Sequence, residues 1–285
     1  MKSICWFRND LRVLDNPALH HCCLNSDEVI AIYFLNRKQW LEHNDAPIKI
    51  NFWLRNLECL QNELKKLNIP LVVLEADTYR DTISVLKDFS IKNDIKNLYF
   101  NVEYPINELE RDRAIYTLFK DNNIGVFAYH DQVVHEPGSL KTQTGNNFSV
   151  YSPFKRKWFA ELQDKQLDIL EIPHKKEAMA ISGTDLSEIL DEFSHDYAEQ
   201  WPAGEQYIQN YIDEFLKFKG TTYKVKRNFP AIDATAKLSP YINAGVVSSK
   251  WCLVKAKEYN NDLLDDGNKG IVHWVSEILW REFYR

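Results

Sequence analysis

Five short apolar runs separated by helical stretches govern what the first half of this chain can fold into. Residues 4–7, 29–34, 71–74, 98–100 and 126–129 are the strand candidates. Between them the clearest helical stretch covers 47–67, where Ile50, Leu54, Leu57, Leu60, Leu64 and Leu67 recur at steps of three and four. Pro47 suits a first helical turn, and Asp45 two residues earlier is the expected cap. Further helices are expected over 79–89 and 106–121. Strands joined by helices imply an α/β fold, a doubly wound parallel sheet of five strands covered on both faces. Such sheets bind ligands at the carboxyl ends of their strands.

The occupant of that crevice is narrowed by what is missing. The nine glycines form neither GxGxxG nor GxxxxGK[ST], which disfavours a dinucleotide dehydrogenase or a P-loop NTPase. With 285 residues, 45% hydrophobic and 27% charged, the chain is long enough for two domains. No stretch approaches the roughly 18 uncharged apolar residues that span a bilayer. The opening Met1-Lys2-Ser3-Ile4-Cys5-Trp6-Phe7-Arg8 meets charge too soon for a signal peptide, so a cytoplasmic location without membrane association is expected. Cys5, Cys22, Cys23, Cys59 and Cys252 include no CxxC pair and no zinc spacing, and are read as reduced apolar fillers with no metal.

The second half has a different texture. From Gln163 to Trp201 the chain is polar and acidic with no sustained alternation, the pattern of a long connection. A helix opens near Gly204, with Tyr207, Tyr211 and Phe215 at four-residue steps, and further helices are expected over 239–259 and 271–285. The formal net charge is −6, yet between Tyr223 and Lys257 seven basic residues face one acid, Asp233. Such a patch can bind phosphates on an acidic chain, because screening keeps only charges within about 8–10 Å in play. A solvated surface with chance clustering is the competing reading.

Several strings go further than periodicity. Trp6-Phe7-Arg8-Asn9-Asp10-Leu11-Arg12-Val13-Leu14-Asp15-Asn16-Pro17-Ala18-Leu19 resembles the opening WFRxDLRxxDNxAL of the DNA photolyase/cryptochrome family. Tyr151-Ser152-Pro153-Phe154 with Trp158 resembles its TPFxxxW, and the residues from Trp201 to Glu205 with Phe215-Leu216 resemble its GGE helix. Tyr223, Arg227, Phe229-Pro230-Ala231, Thr235-Ala236-Lys237-Leu238-Ser239-Pro240-Tyr241 and Gly245 resemble YxxxRDxPAxxGTSRLSPYLxxGxLS. The stretch from Trp274 to Arg285 is similar to WxxELxWREFYR. The resemblance runs from end to end and is strongest to cyclobutane-pyrimidine-dimer photolyases of the folate-antenna type.

The resemblance implies FAD held by Tyr223, Thr235, Ala236, Lys237, Leu238, Ser239 and Trp274. Hydroxyls and a cation at a helix start are what a pyrophosphate needs, although Ser239-Pro240 is also an ordinary cap and first-turn proline. It implies that Glu277 and Trp280 act on a flipped-out pyrimidine dimer, Trp280 by stacking and Glu277 by hydrogen bonding. Arg281 and Tyr284 would line the lesion site near DNA, and Arg227 would hold a phosphate. Glu277, Trp280, Arg281 and Tyr284 fall at i, i+3, i+4 and i+7, one helix face, which a core-facing amphipathic helix would also produce. His43, Asn107 and Glu108 resemble the antenna site for 5,10-methenyltetrahydrofolate; Asn107 reads equally as a helix N-cap.

Ala236 stands where the family has serine, Lys237 where it has arginine and Ala234 where it has glycine, removing a hydroxyl, a bidentate phosphate fork and a flexible position. Family members also continue past WREFYR, through helices that complete the flavin cavity; Trp280 and Phe283 are therefore expected to expose apolar surface. The expected organisation is an α/β antenna domain at 1–130, a connection at 131–200 and a partial all-α FAD- and DNA-binding domain at 201–285. The implied activity is light-dependent repair of cyclobutane dimers in damaged DNA. A cryptochrome-type photoreceptor and a non-catalytic remnant are the alternatives. A monomer is expected unless a second chain supplies the remaining helices.

Overall fold

The computed structural model describes every residue from Met1 to Arg285 apart from the side chains at 164 and 165. The chain divides into two compact units: Met1–His130 with Leu170–Glu205 and Ala244–Val246, and Asp131–Ile169 with Gln206–Asn243 and Val247–Arg285.

The first unit contains the expected parallel sheet. Strands β1 (Lys2–Trp6), β2 (Glu28–Leu35), β3 (Leu71–Glu75), β4 (Asn97–Asn101) and β5 (Gly125–Tyr129) lie in the order β3-β2-β1-β4-β5, every pair parallel. Helices α1 (Pro17–Leu24), α2 (Arg37–Glu42), α3 (Pro47–Lys66), α4 (Tyr79–Lys92) and α5 (Ile106–Asp121) make the connections. The order reverses beside β1, whose two neighbours β2 and β4 leave a crevice at their carboxyl ends. Ile4, Ile30, Ile32, Leu98 and Phe100 are nearly or completely buried, as strands covered on both faces require.

In α3 the predicted stripe is the buried one, Ile50, Leu54, Leu57, Leu60 and Leu64. Asp45 is not its cap. The cap position is Ala46, which makes no side-chain hydrogen bond, and Asp45, one residue too early to reach the first turn, pairs with Lys49. Asn16 does cap α1, its side chain accepting from Leu19 N.

The stretch 131–200 is shared between the units. Residues 170–205 pack on the first unit because their polar groups bond the edge of the sheet. Lys176 N and Thr184 N donate to Leu67 O and Leu71 O, and Val73 N donates to Thr184 Oγ1 at 2.9 Å. The two Thr184 bonds cover part of the free edge of β3, which would otherwise present unpaired backbone groups, and the Lys176 bond holds the segment at the end of α3.

Helices α6 (Tyr151–Glu161), α7 (Ser187–Glu192), α8 (Glu205–Phe218), α9 (Tyr223–Lys226), α10 (Ser239–Asn243), α11 (Ser249–Glu258) and α12 (Lys269–Phe283) complete the chain. Apart from α7 they form the second unit, all-α as expected. The single helix expected over 239–259 is two. Gly245 breaks it with φ +66°, and a Cβ there would lie 2.1 Å from Asn9 O. Only a residue without a Cβ tolerates that dihedral together with so close a backbone approach. Ser248 then caps α11 by accepting from Trp251 N.

Candidate functional site

The last helix brings most of the predicted site residues together. Asn268 starts it, its side chain accepting from Gly270 N and Ile271 N. Ile271, Trp274, Val275, Ile278 and Leu279 form the buried stripe; His273, Glu277, Trp280 and Tyr284 lie around the other side. Glu277 pairs with Arg227, just after α9, and lies 3.6 Å from His273. The Glu277 hydrogen bond pushes the Arg227 guanidinium further toward its charged form, while burial holds the His273 imidazole below its usual value. Arg227 also lies 5.4 Å over the Tyr223 ring. Buried Tyr223 and Trp274 meet the same ring, Phe215, at 5.8 and 5.7 Å.

Trp280 is half-buried and lies face to face with Tyr151, centroids 3.7 Å apart and planes 11° from parallel. Phe283 meets both rings edge-on, and Phe154 lies 5.3 Å from Phe283. The apolar exposure expected at Trp280 and Phe283 is thus largely covered by α6; Tyr284 is the residue left open, at 76%. Arg281 donates to Gln132 O and lies 3.4 Å from Ser249 Oγ, so its guanidinium ties α12 to neighbouring backbone.

In the string 234–239, Ala234, Ala236 and Leu238 are buried, Thr235 is half-buried, and Lys237 and Ser239 are exposed. Lys237 sits at φ +45° and pairs with Asp233 at 3.0 Å; Lys219 holds the same carboxylate at 2.7 Å. Both hydrogen bonds keep Asp233 below the usual carboxylate range.

His43, Asn107 and Glu108 all belong to the first unit. His43 ends α2, its ring 2.8 Å from Gln39 Nε2 and 6.2 Å from the Tyr79 ring. Asn107 is exposed as the second residue of α5, whose cap position is Pro105, so it is not an N-cap. Glu108 is buried; desolvation, then the like charge of Glu103, raise its carboxyl, and His43 opposes them.

Two clusters had no counterpart in the sequence reading. In the crevice, Arg8 bonds Asp112 at 2.7 and 2.9 Å and lies 3.5 Å from Glu103. Arg111 bonds Glu103 and Asp112 at 2.9 Å each, and both guanidinium groups lie 4.7 Å from the centre of the Trp6 ring. In the helical unit, fully buried Glu282 accepts from Val134 N at 2.8 Å and from Trp158 Nε1. Burial pushes its carboxyl up to about 7 against those hydrogen bonds. Tyr151, Trp158 and Glu282 all lie in the strings that carried the resemblance, but nothing in a linear pattern joins residues more than 120 positions apart.

Among the described residues no group of His, Cys, Asp and Glu has metal-binding geometry, and no helix is long and apolar enough to cross a membrane.

The comparisons with known proteins agree with these strings. The chain is 34% identical over 292 residues to the deoxyribodipyrimidine photo-lyase of Buchnera aphidicola from Acyrthosiphon pisum, which covers 99% of this chain and 59% of that protein. It is 30% identical to the deoxyribodipyrimidine photo-lyase of Vibrio cholerae, over 98% of this chain and 60% of the relative. Among solved structures, a bacterial class III photolyase from Agrobacterium tumefaciens superimposes with a TM-score of 0.84 at 26% identity, covering 99% of this chain and 57% of its own. A Synechocystis cryptochrome, at 18% identity and a TM-score of 0.83, shares the fold. The chain spans about three fifths of the length of these proteins. With the DNA photolyase profile matching residues 3–175, the chain belongs to the DNA photolyase family.

Proposed function

We propose that this chain provides the antenna unit and the lesion-contacting helix of a light-dependent deoxyribodipyrimidine photo-lyase, acting on cyclobutane pyrimidine dimers in damaged DNA. The observation that carries the reading is the outer side of α12, where Glu277 and Trp280 stand beside Arg227 and Tyr284. A flat indole and a carboxylate one turn apart suit two flipped-out, crosslinked pyrimidines of low polarity with imide N–H edges. Trp280 stacks on the dimer and Glu277 accepts from its edge. A carboxylate has about four acceptor positions, so the Arg227 bond leaves Glu277 room to accept from a base. Tyr284 and Arg281 flank the lesion, and Arg227 faces a phosphate of the same strand.

The residues assigned to FAD suit a flavin nucleotide in their donor set: the Thr235 and Ser239 hydroxyls and the Lys237 ammonium within five residues of one another, with Tyr223 and Trp274 as apolar walls. Buried Ala236 offers no hydroxyl, and the Lys237–Asp233 pair must loosen for its ammonium to face a phosphate. An excited reduced flavin supplies the electron that opens a cyclobutane ring and takes it back; a folate antenna supplies light capture. His43, Asn107 and Glu108 would hold the pterin edge of 5,10-methenyltetrahydrofolate, the Asn107 amide donating and accepting and the Glu108 carboxylate accepting.

The test is an absorbance and fluorescence spectrum of the purified chain after loading with FAD and reduced folate and gel filtration, followed by a light-dependent assay on a dimer-containing oligonucleotide. Retained flavin bands with light-dependent loss of dimers are the expected result. A chain that loses flavin and repairs nothing refutes the reading for this polypeptide.

A further inference from the structure

Trp280 does not set its own orientation. An indole on a helix surface turns about two torsions, and a platform for a base must have its plane fixed beforehand if binding is not to bear the ordering cost. Tyr151, the first residue of α6, meets that need from two directions. Its ring lies on the indole at 3.7 Å and 11°, and its hydroxyl lies 2.8 Å from Ser276 O and 2.6 Å from Ser276 Oγ. Ser276 and Trp280 are four residues apart, so one tyrosine spans a full turn of α12. The hydroxyl fixes the ring along the helix and the ring fixes the indole plane. Phe283, edge-on to both at 5.9 and 5.7 Å, and Phe154 behind it close the sides of the stack, and the exposed Tyr284 ring lies 5.6 Å from the indole at 24°.

We propose that Tyr151 is the positioning residue for Trp280: it covers one face of the indole and holds the ring so that a flipped pyrimidine dimer stacks on the opposite face. The inference rests on the lesion-stacking role of Trp280 given above. Tyr151 touches no substrate and acts through the indole alone. Its removal therefore affects dimer-containing DNA and leaves undamaged DNA untouched, because an undamaged strand places no base on Trp280. Tyr151→Phe keeps the ring and loses the two hydroxyl contacts, and should retain most of the effect.

The experiment is a fluorescence titration with an oligonucleotide carrying one thymine dimer and with its undamaged counterpart. The variants are Tyr151→Phe, Tyr151→Leu, Trp280→Ala and the Tyr151→Leu/Trp280→Ala pair, with near-ultraviolet circular dichroism of each. Tyr151→Leu should weaken dimer binding about tenfold, within the range that a base stack is worth, with undamaged DNA unchanged. Tyr151→Phe should stay within about threefold of wild type. The double variant should bind no worse than Trp280→Ala, since a residue acting through another adds nothing once that other is gone. Tyr151→Leu and Trp280→Ala should remove the same near-ultraviolet band. Wild-type dimer affinity in Tyr151→Leu, or a full additional tenfold loss in the double variant, overturns the positioning role while leaving Trp280 its own. Unchanged dimer binding in Trp280→Ala instead overturns the lesion-stacking reading itself.

Discussion

Neutralising Glu282 should remove a pH dependence of stability. The carboxyl is buried in the helical unit, and that burial pushes it up to about 7 from an ordinary value of 4.5. A raised carboxyl binds its proton more tightly folded than unfolded. Its contribution is therefore fully present below pH 4.5 and declines as pH rises, until it is lost above the folded value near 7. At about 1.4 kcal/mol per unit, wild type should lose about 3 kcal/mol of stability across that window through this one group. Glu282→Gln carries no titratable proton. It does incur a constant penalty, because Val134 N and Trp158 Nε1 donate to different oxygens of the carboxylate and an amide has only one acceptor. That penalty, of order 1–3 kcal/mol, does not change with pH. The measurement is urea unfolding of both proteins from pH 5 to pH 8, followed by tryptophan fluorescence. The wild-type advantage should shrink as pH rises, by an amount of the order given. A difference curve that is flat across the range would refute the buried, proton-retaining carboxyl.

Four further outcomes follow from the geometry. Gly245→Ala places a methyl against Asn9 O at a left-handed dihedral and should destabilise the first unit by about 3 kcal/mol or more, read as a lower urea midpoint. Arg8→Met leaves Asp112 buried with Arg111 as its remaining partner and should cost roughly 3–5 kcal/mol by the same assay; a loss under about 1 kcal/mol would mean the network is solvated. Asn107→Ala with Glu108→Ala should abolish folate absorbance in the loaded protein and leave flavin bands, and folate retained at wild-type level rules out the antenna assignment. Trp280→Ala should weaken binding of dimer-containing DNA by roughly 1–3 kcal/mol in a gel-shift titration.

The sheet was legible because period and length both spoke for it. Helix α3 declared its buried stripe through leucines at steps of three and four, and tertiary packing uses that stripe. The misreading at Gly245 depends on a partner remote in sequence, whereas Asp45 and Asn107 were misjudged by one or two residues in where a helix begins. Gly245 ends a helix because of where Asn9 lies, and the string around it otherwise continues in helical composition. Residues 170–185 look like a connection because they are polar, yet the Thr184 hydroxyl accepts from Val73 N and its backbone N–H donates to Leu71 O on the edge strand. At the site, the spacing of Glu277, Trp280 and Tyr284 gave a common face, but only the fold shows Arg227 on the carboxylate and Tyr151 on the indole.

The two strongest features of α12 occupy opposite sides of one helix, and that arrangement explains why a single string carries both. Glu282 follows Trp280 by two residues, about 200° around the axis. Its side chain points inward to Val134 and Trp158 while the indole lies outward against Tyr151. A carboxylate that fixes the depth of the helix and a tyrosine that fixes the plane of its outer indole are complementary constraints on the same element. They are also separable: Glu282→Gln should alter the pH dependence of unfolding while leaving the near-ultraviolet band of the Tyr151–Trp280 stack in place at pH 6. Tyr151→Leu should remove that band and leave the pH dependence intact. If either variant moved both observables, the helix would be held by one cooperative cluster, and the outer site could not be tuned without changing the core.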